Sequence, residues 1–528
     1  MQNTLKSNDA KFANPSTPSF GKLTSVPSTS RAGTSVRGRT DPERSRTGSL
    51  GIGLKQGRRA SIKFGTDGWR GIIAQEFSFE NVKVVSQAIA DYMIGLKKPD
   101  KEKKPIVIVG YDTRFLSEEF AQTVSCVLAA NDLEVILSDK SAPTPAVSFA
   151  IKNKNYNLGI VITASHNPAA YNGIKIKTSS GGAADTTVTS KIEANLFKNR
   201  VKIISLNDGL AKGIIKLEDI TTDYMNFIRN FVDMKVLKKT RLKVLVDIMH
   251  GSGNGFIAQI LENTPLEIEL MRSDINPSFD GRRPEPIECN LELLIKRMKK
   301  ERFDIGLVLD GDADRIAAVA PGGEFISPQK ILSLLILHLV QDRGLSGAVV
   351  KTIVGTTLID KIVERLGLQL FETPVGFKYI SKLMQEEDIL IGGEEAGGIG
   401  FKDYIPERDG TLSGILILEM LGTRRQSLNK MLANLNKEYG KFCYEKIEID
   451  LAEAKFKDIK NLKIPKKLLN KKIVEVKDFD GVKLICEDTS WLMLRVSGTE
   501  PIIRIYSEAN TRQKAKDLVL IGKKMIHA

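Results

Sequence analysis

Cysteine is scarce in this 528-residue chain: Cys126, Cys289, Cys443 and Cys486 stand far apart, with no Cys-x-x-Cys spacing. That pattern excludes a disulfide framework and a thiolate zinc site, and it fits a reducing, cytoplasmic location. Long apolar runs are missing as well. The most apolar stretch, Ile331 to Val340, is interrupted by His338 and falls well short of the roughly 18–20 residues that cross a bilayer. No membrane partner is expected, and no apolar leader segment stands at the N-terminus. Acidic residues are sparse in residues 1–60, where three Asp and Glu face eleven Lys and Arg, so that this segment carries +8 of the chain's +14. Rich in Ser, Thr, Pro and Gly and without apolar periodicity, it cannot bury enough surface to offset its ordering entropy. It is expected to be a disordered basic tail: a solvated extension, a misassigned start or an Arg- and Ser-rich transit peptide. Aromatic residues do not interleave its arginines, so no nucleic-acid partner is expected.

What the chain does have is length and alternation. At 528 residues it exceeds the size at which one core keeps growing, so three or four domains are expected. From about Ser61, short β-branched runs alternate with helical periodicity. The pattern predicts strands at 106–109, 134–138 and 158–163 with a helix over 117–133. The theme recurs with strands at 243–247, 266–271 and 305–309 and helices over 255–262 and 290–300, then with strands at 349–354, 369–372 and 389–391 and helices over 357–366 and 377–385. Such alternation implies parallel sheets covered by helices. The last segment is Lys-rich with amphipathic strands. The fold class is therefore α/β: three related mixed or parallel α/β domains (61–205, 206–322 and 323–436) plus a C-terminal α+β domain (437–528).

Each α/β unit ends in an apolar strand running into a polar loop: Thr163-Ala164-Ser165-His166-Asn167-Pro168, Asp310-Gly311-Asp312-Ala313-Asp314-Arg315 and Gly392-Gly393-Glu394-Glu395-Ala396-Gly397-Gly398. Ligands of open α/β sheets bind outside the carboxyl ends of the strands, so three such loops point to one cleft. Three carboxylates at alternating positions suit Mg²⁺, since like charges this close repel without a cation among them. A D-x-D pattern after a strand also occurs in aspartate-nucleophile phosphatases, with the first Asp attacking phosphorus. Ser165 is read as exposed at a strand end and able to carry a phosphoryl group that completes the coordination of the cation. His166, the next residue in an extended strand, is expected to point away from it. Lys175 lies downstream, its pKa open to displacement in either direction, as a candidate acid or base. Arg495, Ser497, Gly498, Thr499 and Arg504 supply arginine forks, hydroxyls and close backbone approach, a phosphate-holding set. Gly251-Ser252-Gly253 lacks dinucleotide spacing and reads as a turn, and His250 and His338 read as core or turn residues.

Taken together, these loops resemble the α-D-phosphohexomutase family from about Lys63 to the C-terminus. The resemblance rests on Phe64-Gly65-Thr66-Asp67-Gly68-Trp69-Arg70-Gly71, the serine loop, the aspartate loop, Thr373-Pro374-Val375-Gly376-Phe377-Lys378, the Glu394 loop and Arg495-Val496-Ser497-Gly498-Thr499-Glu500-Pro501, in that order. It implies a four-domain enzyme with one loop per domain lining a central cleft, monomeric or dimeric, acting on a small phosphosugar. Ser165 would be the phosphoserine and, with Asp310, Asp312 and Asp314, a Mg²⁺ ligand. Arg70 and Arg315 would steady the transferring phosphoryl group, with Lys175 and His166 catalytic. Glu394, Ala396 and Lys378 would meet the sugar, and Arg495, Ser497, Gly498, Thr499 and Arg504 the second phosphate. Glucose 1-phosphate and glucose 6-phosphate would interconvert through glucose 1,6-bisphosphate. Phosphomannomutase or dual specificity is the alternative, because many relatives have Ser at Ala396; the absence of His at Gly398 leans to glucose.

Overall fold

The computed structural model describes residues 62–65, 67–96, 104–453, 459, 462–498 and 502–527. The expected basic tail, residues 1–60, and Thr499 of the phosphate-loop expectation lie outside the described residues.

Three sheets share one four-strand plan. In the first, Glu134–Ser138, Ile106–Tyr111, Leu158–Ile162 and Tyr171–Thr178 are adjacent in that order, with Trp69–Ile72 and Ile215–Glu218 at the edges. The second repeats it with Glu267–Met271, Lys243–Asp247, Ile305–Leu309 and Ile316–Ala320, and adds Glu324–Ile326. The third repeats it with Leu370–Thr373, Ala348–Thr352, Ile389–Gly393 and Ile399–Phe401. In each set the first three strands are parallel. The fourth returns antiparallel to the third.

The parallel strands follow from their apolar runs. Leu158–Ile162 and Ile305–Leu309 are buried at every position, as strands covered on both faces must be. The antiparallel returns do not follow from the alternation of strand and helix alone; they make each sheet mixed, one of the two forms the expected fold class allowed. They also change what the loops are: the serine, aspartate and Glu394 segments are reversals between hydrogen-bonded neighbours, not strand-to-helix crossovers, so each is pinned at both ends. The predicted helix over 117–133 ends at Ala129, where a turn through Asp132 in the left-handed region leads into Glu134–Ser138.

The helix Gly410–Arg424 fixes the second unit against the third. Its first twelve residues are all buried, which an apolar sequence on every side requires. It packs into one continuous core that includes Val244, Leu307 and Ile316 of the second sheet and Val349, Ile391 and Phe401 of the third. Asp409 caps it by accepting from Leu412 N and from the hydroxyls of Tyr224 and Tyr404, and burial lifts its carboxyl to about 7.

The C-terminal sheet is antiparallel throughout: Cys443–Asp450, Ile502–Ala509, Trp491–Val496, Val482–Cys486, Lys471–Lys477 and Lys467–Leu468 in spatial order. The helix Arg512–His527 covers one face. On the other, Trp491, Met493 and Tyr506 pack on Ile353 and Val354 of the third unit. Among the described residues no helix is long and apolar enough to cross a membrane. His250 and His338 are buried, as expected, with the latter between Asp342 and Glu419.

Candidate active site

The serine and aspartate loops meet in the interior. Ser165 Oγ donates to Asp310 Oδ2 at 2.9 Å. Ser165 is fully buried, which corrects the expectation of an exposed serine: the aspartate loop lies directly over its backbone. Gly311 makes that approach feasible, since a Cβ there would stand 2.5 Å from the Ser165 carbonyl oxygen.

Ser165 sits in the left-handed region at φ 50°, a conformation that costs a non-glycine residue energy and has to be imposed by its surroundings. The imposing group is Arg114. Its Nη2 donates to the carbonyls of Ser165 at 2.6 Å and Asn167 at 2.7 Å, and its Nη1 to those of Pro168 at 2.9 Å and Tyr171 at 3.1 Å. Asp112 pairs with Arg114 at 3.2 Å and accepts from Thr163 Oγ1 at 2.6 Å, and Thr163 Oγ1 in turn accepts from Ser165 N at 2.8 Å. The left-handed turn also overturns the expected direction of His166, whose Nδ1 comes to 3.4 Å from Ser165 Oγ. Burial, then Arg315 and Arg70, hold this imidazole well below its usual pKa, so it is neutral.

Asp310, Asp312 and Asp314 are fully buried, and each offers a carboxylate oxygen within 4.8 Å of the others. Asp312 Oδ1 and Asp314 Oδ1 are buried without a hydrogen-bond partner. Burial, then Asp314 and Asp312, raise the Asp310 carboxyl well above its usual range. Lys175, reaching across from Tyr171–Thr178, places Nζ 2.7 Å from Asp312, 2.8 Å from Asp314 and 2.9 Å from Asp67. Burial alone would lower its pKa, but these three carboxylates outweigh burial and raise it, which settles the direction that sequence left open. Arg315 N donates to Asp310 Oδ1 at 3.1 Å, and its Nε lies 3.8 Å from Asp314. Thr144 Oγ1 donates to Asp312 Oδ2 at 2.5 Å.

Over this floor opens a cleft of about 1290 Å³ lined from all four units. Arg70 and His166 come from the first, Arg315 from the second, Lys378, Glu394 and Ala396 from the third, and Arg495, Ser497, Gly498 and Arg504 from the fourth. Arg70 Nη1 donates to Asn167 Oδ1 at 2.5 Å. Arg495 and Arg504 face each other across neighbouring strands, and Arg504 Nε donates to Glu448 at 3.1 Å.

Sequence reasoning missed the group that joins these loops. Arg408 is buried, and its Nη2 donates at 2.6 Å to both Asp67 Oδ2 and Asp314 Oδ2 while its Nη1 donates to Glu394 Oε2 at 3.1 Å. One guanidinium thus touches a carboxylate from each of the three α/β units. Gly398 yields it space, since a Cβ there would stand 2.1 Å from Arg408 Cδ. Lys177, fully buried, is paired with Glu407 and lies 3.6 Å from Asp67. The signal available in sequence was the Pro406-Glu407-Arg408-Asp409-Gly410 run of charges leading into an apolar helix, which reads equally well as a solvated turn.

Comparison with known proteins agrees with this architecture. The chain matches the phosphoglucomutase/phosphomannomutase α/β/α domain families I, II and III over residues 61–202, 222–323 and 327–439, and the C-terminal domain family over 447–520. It is 32% identical over 463 residues to a phosphoglucomutase/phosphomannomutase of Thermococcus kodakarensis, covering 88% of this chain and 98% of that one. It is 31% identical over 468 residues to a phosphoglucosamine/phosphogalactosamine mutase of Sulfurisphaera tokodaii, covering 88% and 98%. The crystal structure of a phosphomannomutase homologue from Thermus thermophilus superposes with a TM-score of 0.78 at 31% identity, covering 89% of this chain and all of that one. With four domain families matched in chain order around one cleft, the chain belongs to the phosphoglucomutase/phosphomannomutase family of α-D-phosphohexomutases.

Proposed function

We propose that this chain is a Mg²⁺-dependent phosphoglucomutase that interconverts glucose 1-phosphate and glucose 6-phosphate through a phosphorylated Ser165 and a bound glucose 1,6-bisphosphate. The observation that carries the reading is the 2.9 Å contact between Ser165 Oγ and an aspartate of the buried three-carboxylate cluster. The cluster fits a hard divalent cation: its donors are all oxygen, and two buried oxygens, Asp312 Oδ1 and Asp314 Oδ1, have no hydrogen-bond partner. Asp310, Asp312, Asp314 and the Ser165 oxygen would hold Mg²⁺, which when bound neutralises charge on the transferring phosphoryl group.

The chain's own residues supply the remainder. Arg315 and Arg70 stand at the cleft floor as cations for phosphoryl oxygens. Lys175 Nζ, paired with Asp67, Asp312 and Asp314, and His166 Nδ1, 3.4 Å from Ser165 Oγ, are the groups that would give and accept the protons, their roles reversing between the two half-reactions. Glu394 offers acceptors to sugar hydroxyls, while Ala396 gives that position no hydroxyl to donate. Arg495, Ser497, Gly498, Thr499 and Arg504 hold the phosphate that is not reacting, which lets the intermediate bind in either orientation.

A coupled assay with glucose 1-phosphate, mannose 1-phosphate and glucosamine 1-phosphate, Mg²⁺ and a trace of glucose 1,6-bisphosphate tests the assignment. The glucose ester is expected to give the highest kcat/KM; a higher value for either competitor overturns the specificity. Geometry at the floor is tested by Gly311→Ala. Its new methyl must push the aspartate loop away from the Ser165 carbonyl. A fall in kcat of about 10- to 100-fold is expected, because sub-ångström displacement of reacting groups is costly.

A further inference from the structure

Asp480 occupies the turn between Lys471–Lys477 and Val482–Cys486 in the fourth unit. Its Oδ2 accepts two hydrogen bonds: from Arg495 Nε at 2.9 Å and from Val375 N at 2.8 Å. Arg495 is in the cleft-lining phosphate set, whereas Val375 belongs to the third unit, three residues before Lys378 and just before the helix Phe377–Glu386. One carboxylate oxygen therefore joins an arginine of one domain to the backbone of another. The turn that carries it is itself fixed. Gly481 has φ 111°, and a Cβ there would lie 2.5 Å from the Leu494 carbonyl oxygen, so the turn lies flat on the strand that ends in Arg495 and Val496. Nearby, Lys483 Nζ donates to the Ile353 carbonyl at 2.6 Å, and Lys477 pairs with Glu372 at 2.7 Å. The surface on which Asp480 rests is thus anchored to the third unit at several points.

We infer that Asp480 is the positioning residue for Arg495: anchored by the Val375 N–H, it binds the Nε edge of the guanidinium and so presents the Nη edge to the distal phosphate of the substrate. An unrestrained arginine side chain has rotamer freedom, part of which is lost when it grips a phosphate. Asp480 removes that freedom before the ligand arrives, which strengthens binding by pre-organisation. Its negative charge opposes this gain by partly neutralising Arg495, so the two roles predict opposite outcomes on removal. The Val375 contact decides for positioning: a residue serving only to weaken Arg495 has no need of a second anchor in another domain. The direction of the fourth domain's phosphate fork is then set by the third domain, beside the segment that bears Lys378.

The inference rests on the proposed mutase reading, and the test separates the two. In Asp480→Asn, of nearly the same shape, KM for glucose 1-phosphate is expected to rise about tenfold with kcat within about threefold of the parent. Sulfate, as a probe of the phosphate site that needs no turnover, is expected to bind the variant about tenfold more weakly by calorimetry. In an Arg495→Ala background Asp480→Asn is expected to have no further effect on either quantity. Unchanged or tighter sulfate binding, a loss in kcat alone, or an equal effect in the Arg495→Ala background overturns the inference. Loss of sulfate binding in the variant of a parent enzyme without mutase activity would support the positioning role while removing the mutase reading. Should Asp480→Asn melt below the assay temperature, Asp480→Ser and Asp480→Glu, measured at the same fraction of folded protein, carry the same comparison: both are expected to weaken sulfate, and parental affinity in both overturns it.

Discussion

Replacing Ser165 with alanine is expected to lower kcat/KM for glucose 1-phosphate by at least about 10³-fold, equivalent to roughly 4 kcal/mol of transition-state stabilisation. The variant removes the oxygen that would carry the phosphoryl group, the one that donates to Asp310 Oδ2 at 2.9 Å. Folding should be nearly unaffected. The 2.9 Å bond to Asp310, with a net value of about 1 kcal/mol, and the long 3.4 Å contact with His166 are lost, while the Arg114 donors to the loop carbonyls remain. Turnover and circular dichroism melting check the two halves of the expectation, and mass spectrometry of parent protein treated with glucose 1,6-bisphosphate should find the added phosphate at residue 165. Turnover of the variant within tenfold of the parent would exclude the phosphoserine mechanism.

Lys175→Met is expected to have the second largest effect, and on stability as well as rate. The side chain is similar in length, but its removal leaves Asp67, Asp312 and Asp314 without the ammonium that each approaches within 2.9 Å. Breaking a buried pair by deleting one partner costs about 3–5 kcal/mol, because the remaining charge is stranded away from water. Arg408 compensates only in part, as it already serves Asp67, Asp314 and Glu394. Denaturant unfolding in EDTA should show the full deficit, and added Mg²⁺ should restore more stability to the variant than to the parent, since the cation replaces part of the lost positive charge. Equal stabilisation of both proteins by Mg²⁺ would argue against a shared carboxylate site. Activity should fall at saturating Mg²⁺ too, because the cation restores charge but not a transferable proton.

The largest cost in that variant comes from contacts between residues far apart in the chain, and these are what sequence could not show. Apolar runs such as Leu158–Ile162 and Ile305–Leu309 announce themselves because burial on both faces demands a local composition. The polar loops that follow them are equally local, and so Ser165, Asp310, Asp312 and Asp314 were legible as one candidate site. Tyr171–Thr178 was not legible as an inner strand: it carries Lys175 and Lys177, which only counter-charges from other elements allow to be buried, and Asn172, which is buried with Ser117 as its hydrogen-bond acceptor. Asp67, Glu407 and Arg408 stood in view without a role, since their partners are supplied by other domains.

Sequence by itself determined the repeated strand-and-loop units, their order and the chemistry each loop offers, because strand formation and loop polarity depend on neighbouring residues. Tertiary structure alone decided that the loops are reversals between antiparallel strands, that Ser165 is buried in a left-handed turn, and that Arg408 and Lys175 balance carboxylates from separate domains. The physical reason is charge compensation in a low-dielectric interior: whether a buried lysine or aspartate is tolerable depends on which opposite charge the folded chain places beside it, and no local pattern records that partner.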